Sequence, residues 1–329
     1  MTASRTVTTM RGPIDAEGLG FTLMHEHLFV RSLETAQNYS TTWDSDDVRV
    51  ADAVRQLEAV RADGVSAIVD LTVLGIGRDI RLMDRVAQEV GLHIIAATGA
   101  YVLDRLPYHF RFHPPTRNGD LAAGLAEWFV RDIEEGIAGT RIRAGVIKCA
   151  TDTAGMTEDV VASVRAAAIT ANHTGALIMT HADAALRNGH DQQRIFVQEG
   201  VDLSRVVIGH VGDSTDLNYH RSLMDSGMTI GLDRFGLGLS TSERVAAIVT
   251  LCREGYSDRM VLSHDAACHS EWIDTATPGL ENWNFQYVPR VVVPLLHEKG
   301  VAESDVQNLV VNNPQRLLGM ARTSEERER

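Results

Sequence analysis

Short apolar runs alternate along the chain with longer amphipathic stretches. Eight of these runs have the length of a β-strand: FTLMHEHL (21–28), SAIVDLTV (66–73), LHIIAATG (92–99), AGVIKCA (144–150), ALIMTHA (176–182), VVIGHV (206–211), MTIGLD (228–233) and RMVLSHD (259–265). Because they are nearly continuous in apolar residues, they are typical of strands that are buried on both faces. The pattern therefore predicts a parallel sheet covered by helices.

The stretches between these runs carry the periodicity of helices. Apolar residues recur at helical spacing in 50–60, ahead of Gly64, and again in 80–90, ahead of Gly91. In both cases a glycine follows the last apolar residue, and glycine supplies the left-handed backbone conformation that commonly ends a helix. The segment 157–175 opens with a capping threonine and two acidic residues and closes on a glycine, so we expect a helix there as well.

Eight strand–helix units are the number that closes a (β/α)8 TIM barrel, which we predict as a single domain over 1–329. An open, doubly wound sheet is the alternative. It is disfavoured because Gly75 and Gly77 are followed by no third glycine of a dinucleotide-binding loop, and no phosphate-binding P-loop is present.

The long irregular segments of the chain are 31–47, 103–120 and 266–288, and we expect them to form loops on the functional face of the barrel. The charged tail from about residue 320 to 329 is expected to fray.

Composition narrows the class of protein. Lys and Arg number 31 against 44 Asp and Glu, giving a formal charge of -13, and they form no basic cluster of the kind that binds nucleic acid. The three cysteines are far apart, which is typical of a reducing compartment. The N-terminus is polar and no apolar stretch is long enough to span a membrane, so we expect a soluble cytoplasmic protein without nucleic-acid or membrane partners.

In a barrel the catalytic groups come from the C-terminal ends of the strands. These ends carry His25-Glu26-His27 on the first run, Lys148 on the fourth, His181 on the fifth, His210 on the sixth, Asp233 on the seventh and Asp265 on the eighth. Imidazole and carboxylate groups converging from separate strands are typical of a metal site.

Alternate residues of a strand share a face, so His25 and His27 are expected to point together and Glu26 away from them. Two neighbouring imidazoles make half of a metal site. The alternative is that backbone carbonyls near the strand end satisfy the pair. His181 and His210, at the ends of two further strands, favour the metal site.

Lys148 lies within an apolar strand, where a free ammonium group is costly. It either pairs with a carboxylate such as Asp265, or it is neutral and reacts with carbon dioxide to give a carbamate that can bridge two metals. Four nearby histidines favour the carbamate. Asp265 can ligate metal or act as a general base. By alternation, His264 points away from Asp265.

Nucleophilic serine or cysteine chemistry is disfavoured. No serine lies in a GxSxG elbow, and Cys149 is expected to face away from its neighbour Lys148. The remaining histidines lie in loops, in helices or at a strand start, and we expect them to be solvated or packed.

Six motifs together resemble the phosphotriesterase family of the amidohydrolase superfamily. They are His25-Glu26-His27, Val146-Ile147-Lys148, Thr180-His181, Ile208-Gly209-His210, Gly231-Leu232-Asp233-Arg234 and Leu262-Ser263-His264-Asp265. The resemblance extends from about Gly12 to Gly319. Within the family, the segments 98–101 and 233–236 are most similar to the phosphotriesterase-like lactonases, which open lactones such as N-acyl homoserine lactones and hydrolyse organophosphates promiscuously.

The resemblance implies two divalent metal ions and a hydroxide that bridges them. The buried ion would be held by His25, His27 and Asp265, the exposed ion by His181 and His210, and carboxylated Lys148 would bridge the two. Imidazole and carboxylate ligands suit zinc, which we expect by default, and also cobalt, iron or manganese.

The resemblance also assigns roles beside the metals. Tyr101 would border the hydroxide, Arg234 would gate the substrate entrance, and Asp265 would carry a proton to the leaving group. Each of the first two has an alternative: an aromatic residue at the rim for Tyr101, and an ion pair with a neighbouring carboxylate for Arg234.

The expected partners are a small-molecule lactone or ester substrate and, as is usual in this family, a second copy of the chain in a homodimer. The chain departs from the family mainly in its loops. Residues 268–288 carry aromatic side chains that could line an apolar pocket or pack on the barrel rim: Trp272, Trp283, Phe285 and Tyr287. The preferred acyl-chain length is therefore left open.

Overall fold

A computed structural model describes residues 5–39, 42–274 and 277–319 of the chain. Its strands are β1 Thr6–Thr9, β2 Gly12–Asp15, β3 Thr22–Val30, β4 Ala67–Asp70, β5 His93–Gly99, β6 Val146–Ala150, β7 Leu177–His181, β8 Val206–Ile208, β9 Thr229–Leu232, β10 Met260–Leu262 and β11 Ala267–Ser270. Strands β3 to β10 coincide with the eight apolar runs, so the predicted strands are confirmed.

Strands β3 to β11 form one parallel sheet in the order β10-β9-β8-β7-β6-β5-β4-β3-β11. Its two ends meet because β10 and β11 are consecutive stretches of chain, and β11 pairs with β3. Backbone hydrogen bonds continue the seam between them, with Asp265 N–H donating to His25 O at 3.0 Å and His27 N–H to Ala266 O at 2.8 Å. The sheet thus closes on itself, and the predicted TIM barrel is confirmed.

Helices alternate with these strands and cover the outside of the barrel. They are α1 Leu33–Asn38, α2 Asp46–Ala62, α3 Ile80–Glu89, α4 Leu121–Glu134, α5 Glu158–Thr174, α6 Asn188–Gln198, α7 Leu217–Asp225, α8 Thr241–Arg253, α9 Val293–Glu298, α10 Glu303–Gln307 and α11 Asn313–Leu318. Short 3-10 turns lie at Ala16–Gly18, Tyr108–Arg111, Ile137–Gly139, Leu203–Arg205, Val211–Asp213 and Ser257–Arg259, and π-helical turns at Val288–Val292 and Asn308–Asn312 lead into α9 and α11.

The three helices predicted from periodicity are present as α2, α3 and α5. Helix α5 has the predicted caps: Thr157 Oγ1 accepts a hydrogen bond from Val160 N–H, and Gly175 ends the helix in the left-handed region at φ 77°. Among the described residues, no helix is both long and apolar enough to cross a membrane.

The apolar side chains form two clusters, one on each face of the barrel wall. The outer cluster joins the helices to the outward residues of the strands, such as Ile147 and Cys149. The inner cluster fills the barrel and includes Val146, Met179 and Val261. Because Lys148 shares the inward face with Val146, its side chain enters the barrel among apolar neighbours.

Two segments expected to be loops contain an α-helix or a strand, and the third, 103–120, contains the 3-10 turn Tyr108–Arg111. Within 31–47 the chain forms α1, a short helix without buried residues. Its sequence therefore lacks the periodic apolar residues from which a helix is predicted. Within 266–288 it forms β11, because the barrel needs this strand to complete its seam with β3. The tail 320–329, expected to fray, lies outside the described residues.

Candidate metal centre

The six side chains predicted as metal ligands lie on β3, β6 and β7 or follow shortly after β8 and β10. The Nε2 atoms of His25 and His27 lie 3.4 and 3.2 Å from Asp265 Oδ1. His210 Nε2 lies 3.6 Å from Asp265 Oδ2. One ligand atom from each of His25, His210 and Asp265 lies within 4.8 Å of the others. Asp265 is therefore the carboxylate on which three of the four predicted histidines converge.

The predicted facing of the His25-Glu26-His27 motif agrees with the contacts, and a bulge in β3 helps to produce it. Leu23 pairs with Ile68 but Glu26 pairs with Asp70, so β3 carries one extra residue between these two pairs. A bulge of this kind re-aims side chains. Both imidazoles reach Asp265, whereas Glu26 turns to the other side of the strand.

Lys148 is fully buried beside these groups. Its Nζ lies 2.8 Å from His25 Nε2 and 3.4 Å from Thr180 O. Burial lowers the pKa of Lys148 to about 8 and that of His25 to about 4. Among the described residues, Lys148 makes no direct ion pair with Asp265, the alternative left open above. A buried amine with a depressed pKa is one that can become neutral.

His27 and His181 are each held by a polar side chain of their own. Thr72 Oγ1 lies 2.9 Å from His27 Nδ1. His181 is bonded at both ring nitrogens, with Asp152 Oδ2 3.1 Å from Nε2 and the Tyr101 hydroxyl 3.1 Å from Nδ1. The bond to His181 lowers the pKa of Asp152 to about 2. Neither Thr72 nor Asp152 was predicted from the sequence to belong to the site.

Asp233 is a further residue of the site, for which the sequence predicted no role. Its side chain is fully buried, and its two oxygens contact His25 Nδ1 and His210 Nδ1. Burial opposes ionisation of Asp233, but the two imidazoles outweigh burial and hold the pKa of the carboxyl well below its ordinary value. The only sequence signal was its position at the end of the seventh strand.

Arg234 forms the ion pair that was the alternative to its gating role. Its Nε donates to Asp265 Oδ2 at 2.9 Å and its Nη1 to Asp213 Oδ2 at 3.0 Å. Burial opposes ionisation of Asp265, yet two histidines and Arg234 outweigh it and keep its pKa well below the ordinary value. The arginine therefore fixes the outer oxygen of the carboxylate on which the site converges.

Glu26 and His264, both predicted to point away from the site, bond to each other. His264 Nδ1 lies 2.6 Å from Glu26 Oε1, and His264 Nε2 accepts the Val288 N–H at 2.8 Å. The ring proton is therefore on Nδ1. Glu26 also accepts hydrogen bonds from Ser263 Oγ and from the backbone N–H groups of His264 and Ala266. This buried network holds the segment that carries Asp265.

A pocket of about 90 Å³ opens from the site to the surface. Its lining combines the predicted residues His27, Tyr101, Arg234 and Asp265 with apolar side chains: Val30, Ile76, Ala267, Trp272, Ile273 and Trp283. Tyr101 and Trp272 are in edge contact, with ring centroids 5.9 Å apart. Of the aromatic residues proposed to line a pocket, Trp272 and Trp283 do so. Phe285 and Tyr287 do not line this one.

The donors present suit a divalent metal ion. His210 Nε2 is buried and has no hydrogen-bond partner within the part of the chain that the structure describes. A buried ring nitrogen without a partner is costly unless a ligand satisfies it. Asp265 and His210 both have left-handed backbones, at φ 56° and 61°, a conformation that is uncommon outside glycine and is found at functional sites.

A sequence model of the phosphotriesterase family matches residues 5–318. The chain belongs to the phosphotriesterase family. A phosphotriesterase homology protein of Mycobacterium tuberculosis is 46% identical over 316 residues, which cover 95% of this chain and 97% of the relative. An aryldialkylphosphatase of Saccharolobus solfataricus is 37% identical over 312 residues, covering 93% of this chain and 96% of the relative.

Two solved structures show the same fold. That of the phosphotriesterase from Mycobacterium tuberculosis superposes with a TM-score of 0.91 at 44% identity, covering 95% of this chain and 98% of the other. The second structure comes from work on engineering organophosphate hydrolysis activity from a weak promiscuous lactonase template. It superposes with a TM-score of 0.87 at 32% identity, covering 95% of this chain and 99% of the other. Together with the site, these likenesses confirm the predicted family and make the chain a metal-dependent hydrolase of the phosphotriesterase type.

Proposed function

We propose that this hydrolase opens lactone rings, namely N-acyl homoserine lactones and simple γ- and δ-lactones, and hydrolyses phosphotriesters promiscuously. The observation that carries the proposal is that His25, His27 and His210 converge on Asp265, beside a largely apolar pocket that His27 and Asp265 help to line. Lys148 lies against His25, and His181 lies against His210. The likeness to a chain derived from a lactonase template supports the choice of substrate.

The proposed ligand sets follow the positions of the side chains. His25, His27 and Asp265 would hold one divalent ion, and His181 and His210 would hold the second. Zinc is our default for both ions. Lys148 would bridge them as a carbamate, formed when its neutral amine adds carbon dioxide and releases a proton. The lowered pKa of Lys148 supports this reaction because only the neutral amine is nucleophilic.

When bound, the ions would supply a hydroxide nucleophile at neutral pH and polarise the carbonyl or phosphoryl oxygen of the substrate. Asp265, an ionised carboxylate anchored by Arg234, is placed to accept the proton released on attack and return it to the leaving alkoxide. Burial and the nearby Asp265 carboxylate raise the pKa of Tyr101, so its hydroxyl stays protonated and can donate to the developing oxyanion.

The apolar lining and the guanidinium group would divide substrate recognition between them. Trp272, Ile273 and Trp283 would pack on the acyl chain, while Arg234 would stay at the entrance. Because the pocket is small, a longer acyl chain would have to extend past Trp272, which is about half exposed. We also propose that the chain forms one domain and acts as a homodimer in the cytoplasm.

The test is a comparison of substrates on metal-reconstituted protein. We expect kcat/KM for a long-chain acyl homoserine lactone or a δ-lactone to exceed that for an aryl dialkyl phosphate by a wide margin. A chelator-stripped sample is the control and should lose both activities. If a metal-loaded protein turned over neither lactone, the substrate proposal would be wrong. Other esters, amides and phosphotriesters would then be the candidates.

A further inference from the structure

A single carboxylate lies between one histidine of each proposed ligand set. Asp233 Oδ2 is 2.7 Å from His25 Nδ1, and Asp233 Oδ1 is 3.0 Å from His210 Nδ1. Oδ1 also accepts the backbone N–H of His210 at 2.8 Å. The two rings stack with their centroids 4.7 Å apart. The side chain is 1% exposed, so water does not compete for these bonds.

Two glycines border the space that this carboxylate occupies: Gly231 on β9, the strand that leads into Asp233, and Gly209 directly after the neighbouring strand β8. A Cβ on Gly231 would lie 2.4 Å from Asp233 Oδ2, a distance that real side chains do not adopt. A Cβ on Gly209 would lie 3.3 Å from the same oxygen and 2.1 Å from Thr180 O. Gly231 therefore admits the carboxylate between the histidines, and Gly209 widens the same space while it allows the close approach of Thr180 O.

The bonds to Asp233 determine which ring nitrogen of each histidine carries the proton. An ionised carboxylate only accepts hydrogen bonds, so both Nδ1 atoms must donate. Each Nε2 is then unprotonated, and both Nε2 atoms face Asp265, at 3.4 and 3.6 Å. An unprotonated nitrogen directed at the site is what a metal requires of an imidazole ligand.

We propose that Asp233 is a positioning residue shared by the two metal subsites, which orients one histidine ligand of each and so couples their affinities. The inference rests on the proposed ligand sets. Two other polar supports each contact a single proposed ligand among the described residues: Thr72 contacts His27, and Asp152 contacts His181. These two residues provide matched controls.

Two substitutions of Asp233 should change the metal affinities in different ways. Asp233→Ala removes both acceptors, so both ions should bind more weakly. In Asp233→Asn the amide oxygen has to replace Oδ1, which accepts two N–H groups from His210. The amide nitrogen then donates a hydrogen bond to His25 Nδ1, so the ring proton of His25 has to move to Nε2. Asp233→Asn should therefore weaken mainly the ion that His25 holds.

The experiment is a titration of the metal-free chain with zinc against a chromophoric chelator, which gives both affinities without measuring turnover. The wild type should bind two ions per chain. Asp233→Ala should lower both affinities by about 10- to 100-fold, the usual effect of losing such a support. Asp233→Asn should lower the affinity for the ion that His25 holds. Thr72→Val should lower the affinity for the ion that His27 holds, and Asp152→Ala the affinity for the ion that His181 holds.

A weakening of one ion or neither in Asp233→Ala, with the wild type binding two, would overturn the shared role while leaving the proposed function intact. A wild type that binds fewer than two ions would overturn both. Nitrogen-15 shifts of the imidazole rings in the metal-free chain give a second readout. They should show protonated Nδ1 at His25 and His210 in the wild type, and a changed tautomer at His25 alone in Asp233→Asn. If the Ala variant does not fold, the wild-type shifts carry the test, because an unprotonated Nδ1 at either His25 or His210 would overturn the shared role.

Discussion

The substitution Glu26→Gln tests whether the buried carboxylate of Glu26 holds the strand end that carries Asp265. Oε1 of Glu26 accepts from Ser263 Oγ, His264 N and His264 Nδ1, at 2.8, 3.1 and 2.6 Å. Oε2 accepts from Ala266 N at 2.9 Å. An amide oxygen can replace Oε1 and keep its three donors, but the amide nitrogen then faces the N–H group of Ala266.

The cost follows from that one lost acceptor. A hydrogen bond to a charged group contributes about 1.5–3 kcal/mol, and a buried donor left without a partner costs about 1–3 kcal/mol. The two ranges describe the same lost bond, so they are not added. We expect the free energy of unfolding to fall by about 3 kcal/mol in Glu26→Gln. Metal affinity should fall as well, because Ala266 directly follows Asp265.

The assay is denaturant unfolding of the metal-free variant and wild type, followed by zinc titration of both. Glu298→Gln is the matched control, since Glu298 is 68% exposed and, within the described part of the chain, pairs with its neighbour Lys299 alone. That exposed pair should contribute less than about 1 kcal/mol. Equal stability and equal metal affinity for Glu26→Gln and Glu298→Gln would refute the reasoning.

Three further predictions concern the site itself. Lys148→Ala should weaken both metals, and a purified variant with wild-type metal content and rate would contradict the bridging role. Tyr101→Phe should lower kcat for a lactone by about 100-fold with little change in KM, as expected for the loss of one oxyanion donor; an unchanged kcat in stopped-flow turnover would exclude that role. Gly231→Ala should displace Asp233 and weaken zinc binding in a titration, whereas Gly18→Ala, where a Cβ meets no atom of the described residues within 4 Å, should not. Equal affinity in these two glycine variants would count against the space that Gly231 provides.

The barrel could be predicted because its strands are buried on both faces. Runs such as Val206–Ile208 and Met260–Leu262 have no exposed residue, so each stands out as an apolar block in the sequence. Strand β11 could not be predicted in this way. Its sequence, ACHS, is polar in its second half and only half buried there, and it forms because the open seam beside β3 needs a partner.

The alternation of side chains along strands predicted part of the site. It separated Glu26 and His264 from the ligand face, but it could not show that these two residues meet, because their contact joins the first and last barrel strands. The same limit applies to Asp233. Its bond to His25 spans 208 residues of sequence, and only the closed barrel brings the two together.

The most direct test of the central claim is to add zinc back to the metal-free enzyme while following lactone hydrolysis. We predict no turnover without metal and a rise that reaches its plateau at two ions per chain. Carbon dioxide should accelerate the recovery, because Lys148 must form its carbamate. Full activity in the metal-free protein, or a plateau at one ion, would contradict the binuclear account.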